Sequence, residues 1–120
     1  MSIEIGTAFQ LVGDSNHPWF VVSKVMGNKV LAVNITDAEK CSDRSCLIGV
    51  AEHPIVTKPS AVFYKKAREF DAKKLEKELD KGLNVRRLEK CEQRLLERII
   101  QGALKSDDLT AKFLRYVSHK

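Results

Sequence analysis

The sequence predicts a mainly β fold with α: a small curled sheet or barrel over residues 1–70, followed by helices over 71–120. Three observations predict it. Short apolar runs are cut by turn formers as far as Tyr64, the apolar period turns helical after Phe70, and 120 residues support one ordinary core with no room for a second.

The first strand is read at Thr7–Val12, ended by the turn formers Gly13, Asp14, Ser15 and Asn16. Trp19–Val22 forms the second, closed by Met26–Lys29. In the third, Lys29–Thr36, Val30, Ala32 and Asn34 alternate with Leu31, Val33 and Ile35, so both faces are apolar enough to be buried. A polar loop, Asp37–Ser45, leads to Cys46–Val50, and a last strand is read at Ser60–Tyr64. Five short strands at this spacing imply a curled sheet or small barrel.

Asp71 then reads as a helix N-cap and Gly82 as its C-cap, with Leu75 and Leu79 on one face between them. A second helix is expected from Leu88 or Glu92 to Leu104, its inner stripe Leu88, Leu95, Ile99 and Ile100. A third, capped by Ser106-Asp107-Asp108, presents Leu109, Phe113 and Tyr116 or Val117. Those stripes must be covered, either by the barrel or by a second subunit.

Residues 1–57 hold 4 Lys/Arg against 6 Asp/Glu, and residues 58–120 hold 17 against 10, so the basic character lies in the second half. That asymmetry favours a polyanionic partner and equally fits a solvated helical face. Residues Met1–Gln10 do not read as a secretory leader, and no stretch approaches the roughly 20 apolar residues of a membrane span. Three cysteines, an odd set, fit reduced thiols. The expectation is a cytoplasmic protein without membrane association.

His17-Pro-Trp-Phe-Val-Val-Ser23, Val30-Leu-Ala-Val-Asn-Ile-Thr36, Glu52-His53-Pro54 and Ser60-Ala-Val-Phe-Tyr-Lys-Lys-Ala67, in this order, resemble the PemK/MazF-like toxin family over residues 5–70. The resemblance implies an SH3-like β-barrel, dimerisation, and the toxin of a toxin-antitoxin system: a metal-independent endoribonuclease that cuts single-stranded RNA by 2′-hydroxyl attack. It implies no cofactor, and single-stranded RNA, a cognate antitoxin and a second copy as partners. In better-known members the residue before the proline is Arg and the third strand ends in Thr-Ser; here those positions are His17 and Thr36-Asp37.

Such cleavage needs a base for the 2′-hydroxyl proton, an acid for the 5′-oxygen and donors for the phosphorane. An imidazole serves either proton-transfer role, which makes His17 the candidate carrier, against the plainer reading of a turn residue before Pro18. Under the resemblance Thr36 becomes a phosphate donor, whereas by itself Thr36-Asp37 reads as a strand-ending turn. Asp37 is read as orienting His17 or binding a base edge. Ser60 and Tyr64 lie four apart on one strand face, Tyr64 as proton donor or stacking ring. Lys65, Lys66 and Arg68 are read as phosphate cations or as a solubilising hinge, and Arg44 as a further RNA contact. His53 reads first as a turn residue, and Cys41, Cys46 and His53 form only a three-ligand zinc reading. The rival functions are a barrel that binds nucleic acid or protein without cleaving, and a structural protein assembled through its helices.

Overall fold

In the computed structural model, which describes residues 3–13 and 17–118, six strands form one curled antiparallel half-barrel sheet. The strands are β1 (Ala8–Leu11), β2 (Pro18–Val21), β3 (Lys29–Asp37), β4 (Leu47–Ile48), β5 (Ser60–Asp71) and β6 (Val85–Leu88), in the spatial order β4-β5-β3-β2-β1-β6. Helix α1 (Ala72–Lys81) follows β5, and α2 (Gln93–Lys105) and α3 (Ala111–Ser118) complete the chain. The turn expected after Gly13 falls on residues 14–16, outside the described ones.

Two-sided burial of β3 organises the core. Leu31, Val33 and Ile35 belong to one apolar cluster with Phe20, Val62, Leu95 and Ile99, so α2 covers that face. Val30 and Ala32 belong to a second, with Phe9, Trp19, Phe70, Leu75 and Leu79, so α1 covers the other. Phe70 anchors the second cluster by edge-on contacts with Phe9 (5.2 Å) and Trp19 (5.3 Å), the geometry aromatic quadrupoles favour.

Helix α1 forms where its caps place it. The Asp71 carboxylate accepts the Lys74 N–H at 2.9 Å, and Gly82, at φ 66°, donates its N–H to the Glu78 carbonyl. Leu75 and Leu79 fall on its buried side. At α3 the cap differs from expectation: the Thr110 hydroxyl accepts the Phe113 N–H, while Ser106 Oγ accepts from Asp108 N–H one turn earlier.

Two elements depart from the sequence reading. Strand β5 does not stop at Tyr64 but runs to Asp71, because its register against β3 slips between the pairs Asn34–Phe63 and Ala32–Arg68. Tyr64–Ala67 bulge opposite the single residue Val33, which resets the pleat and lets a second apolar end, Phe70, reach the core. Residues 85–88, of which the sequence reading assigned only Leu88, to the second helix, instead form β6, paired with β1 from Ala8–Leu88 to Leu11–Val85. Leu88 therefore packs from a strand and not from a helix stripe.

Candidate functional site

The register of the sheet gathers the site. Trp19 pairs with Asn34 across β2 and β3, and continuing that register brings His17 alongside Thr36; Thr36 pairs with Ala61 and Asp37 with Ser60 across β3 and β5. Three strand ends thus meet at one rim of the sheet. There, His17, Thr36, Asp37 and Ser60 line a cleft of about 350 Å³ with Lys58 and the apolar Ile35 and Val56. That volume is at the small end of the range for ligand sites.

The polar groups of the cleft are tied in different ways. Asp37 Oδ2 lies 3.0 Å from Lys58 Nζ and 3.9 Å from Lys40 Nζ, so its charge is balanced by lysines, and neither ion pair involves His17. Ser60 Oγ donates to the Lys58 carbonyl at 2.8 Å, closing the turn that enters β5 and fixing Lys58 at the cleft mouth. The Ala38 N–H donates to the Pro59 carbonyl, which holds the end of β3 against that same turn. Thr36 is buried and His17 half-buried, so the imidazole is the part of the pair that solvent reaches. Lys58 is the residue the sequence reading misses; its signal was a cation immediately before Pro59 at the start of the strand bearing Ser60.

Tyr64 does not join the cleft. It is 1 % exposed, and its hydroxyl donates to the Ile99 carbonyl of α2 at 2.6 Å. Burial, with Cys46 and Asp43 nearby, raises its pKa far above the usual phenol value. The correction is one of face: Ser60 and Tyr64 do lie four apart on β5, but there that side turns inward onto α2. A proton-donating or base-stacking role for Tyr64 is thereby removed.

The expected RNA-contact residues are dispersed. Arg44 donates to the Ala38 carbonyl at 2.9 Å, fastening the 3₁₀ turn Ala38–Lys40 just after Asp37. Lys65 and Lys66 are exposed on the β5 bulge, and the Arg68 guanidinium lies 4.6 Å over the Phe70 ring. None of Arg44, Lys65, Lys66 and Arg68 lines the cleft.

His53 is a buried crosslink. Its Nδ1 accepts the Ile55 N–H at 3.2 Å, which leaves Nε2 to donate to the Glu89 carbonyl at 2.6 Å, and its ring packs on Phe20. With both nitrogens used, it is unavailable for the zinc reading, and Cys41 Sγ faces the Asp43 and Val62 carbonyls. Among the described residues, no group of three or more His, Cys, Asp or Glu side chains is placed to hold a metal ion. No described helix is long and apolar enough to cross a membrane.

No protein-family model matches the chain, and no curated protein or solved structure does.

Proposed function

We propose that this chain is an endoribonuclease of the toxin type, cleaving single-stranded RNA at the cleft by attack of a 2′-hydroxyl on the adjacent phosphate. One observation supports the reading: an imidazole, a hydroxyl and an ammonium, from His17, Thr36 and Lys58, converge on one rim with room for a phosphodiester. In the proposed reaction His17 takes the 2′-hydroxyl proton as the 2′-oxygen bonds to phosphorus. Lys58 and Thr36 hold the charge that accumulates on the phosphorane oxygens. The phosphorus–5′-oxygen bond then breaks, the 5′-oxygen recovers a proton from His17, and a cyclic phosphate is left. Asp37 sets the position of Lys58 in this scheme. As a toxin, the protein would act on RNA in the cytoplasm, be neutralised by a cognate antitoxin and pair with a second copy.

A second reading, a module that binds RNA without cutting it, is favoured by the burial of both Tyr64 and His53, which leaves His17 as the single imidazole, beside no phenol, among the described residues that line the cleft. Filter binding of an RNA oligonucleotide across a salt series, run beside a gel assay of its integrity, separates the two. Salt-sensitive binding with cleavage supports the first reading, and salt-sensitive binding to intact RNA supports the second. No binding at low salt would overturn both.

A further inference from the structure

Helix α2 carries a cationic ridge far along the chain from the residues of the cleft. Arg94, Arg98, Gln101 and Lys105 follow one another at helical spacing, so they occupy one face over about 16 Å. With Leu47 and Gly102 they line a groove of about 510 Å³ between α2 and the loop and edge strand containing β4. Its apolar surface is Leu47, 42 % exposed, while Gly102 is buried where α2 presses on Cys46.

The four ridge residues are not equivalent. Arg98 is already committed, paired with Glu52 and donating to the Leu47 carbonyl at 2.5 Å. Because the neighbouring Cys46 carbonyl accepts from Val62 on β5, the Leu47 carbonyl points away from the sheet, and Arg98 caps it. The outer edge of β4 is thereby closed to simple addition of another strand. Arg94 and Lys105 flank this clamp, and no ion pair of either is found among the described residues. Glu97, the one carboxylate among the described residues that line the groove, accepts from Gln93. At its Lys105 end the groove adjoins a cleft that Lys105 and Arg44 share with three carboxylates, Asp43, Asp107 and Asp108.

We propose that this groove is a docking site for an acidic, partly apolar peptide segment of a partner protein, with its carboxylates on Arg94 and Lys105 and an apolar side chain on Leu47. Charge complementarity selects the sign of the occupant, and the apolar surface of Leu47 selects a peptide over a nucleic acid. Among the described residues no aromatic side chain lines the groove, so bases would find no stacking platform there. The carboxylates at the Lys105 end fix polarity: the carboxylates of the bound segment concentrate toward Arg94 and avoid Asp107 and Asp108.

The test is selection of random twelve-residue peptides on the full chain, followed by fluorescence polarisation of the enriched peptides. The expected result is enrichment of acidic sequences bearing one or two aliphatic residues. Their affinity should fall at least about tenfold in the Arg94→Glu, Lys105→Glu variant and stay unchanged in Lys65→Glu, Lys66→Glu, with both variants unfolding cooperatively. Enrichment of neutral or basic peptides, or affinity indifferent to the α2 charge reversal, would overturn the proposal. So would loss of single-stranded RNA binding in the α2 variant with retention in the bulge variant, since that would assign the groove to nucleic acid.

Discussion

Gly102→Ala is the change that most severely tests the packing of α2. A Cβ at this position would lie 2.8 Å from Cys46 Cβ and 3.0 Å from the Ser45 carbonyl oxygen, and closer still to the Tyr64 hydroxyl. In an unobstructed helix the same substitution would stabilise by about 1 kcal/mol through helix propensity. Here an added methyl in a filled space costs about 1–3 kcal/mol, and displacing Tyr64 from the Ile99 carbonyl costs about 0.5–1.5 more. The net is a loss of about 0.5–3.5 kcal/mol, the opposite sign to propensity. Urea unfolding at equilibrium measures it. In a Tyr64→Phe background the nearest obstruction is gone while Cys46 and Ser45 stay, so Gly102→Ala should cost less there than in the parent. A Gly102→Ala protein as stable as the parent, or strictly additive behaviour of the pair, would refute the contact between Tyr64 and α2.

The cleft and the core give four further expectations. Tyr64→Phe should lose about 0.5–1.5 kcal/mol of stability yet keep RNA cleavage, read by a gel assay, because its hydroxyl serves Ile99. Lys58→Ala should slow cleavage more than Thr36→Val, since it removes a charge and not one neutral hydrogen bond; single-turnover rates at matched RNA saturation decide the order. A chain ending at Phe70 should aggregate or lose cooperative unfolding in light scattering and circular dichroism. It would leave β1 unpaired with β6 and strip Leu95 and Ile99 from the core. Hydrogen bonds from Arg98 and the Gly49 N–H hold the Glu52 carboxyl below its ordinary 4.5. A depressed folded-state value contributes stability above the unfolded one, lost as pH falls through the folded value. The parent-minus-Glu52→Gln stability difference should therefore shrink as pH drops below about 4.5.

What the sequence made legible follows from local rules. Asp71 and Gly82 bound α1 because capping is a local hydrogen-bonding problem that residue type largely decides. Burial of both faces of β3 could be read from alternation alone; that each face belongs to its own cluster could not. Strand β6 was hidden because Val85-Arg86-Arg87-Leu88 carries only two apolar residues; an edge strand buries so little that its pattern looks like the start of a basic helix. The continuation of β5 was hidden because the bulge inserts Lys65 and Lys66 where an alternating strand would place an apolar residue. At the site, strand order supplied what spacing could not. His17, Thr36, Asp37 and Ser60 meet only because β2, β3 and β5 are neighbours in the sheet. Tyr64 was misplaced because period 2 says which residues share a face and not which face meets a helix.

The most direct test of the central claim is cleavage of a single-stranded RNA oligonucleotide in chelator by the parent and by His17→Ala, with product ends analysed by mass. The expected result is cleavage by the parent, a cyclic phosphate on the 5′ fragment, and a rate about 10²–10⁴-fold lower for a His17→Ala protein that still unfolds cooperatively. Undiminished cleavage by His17→Ala, or parent activity that vanishes in chelator and returns with a divalent ion, would contradict it.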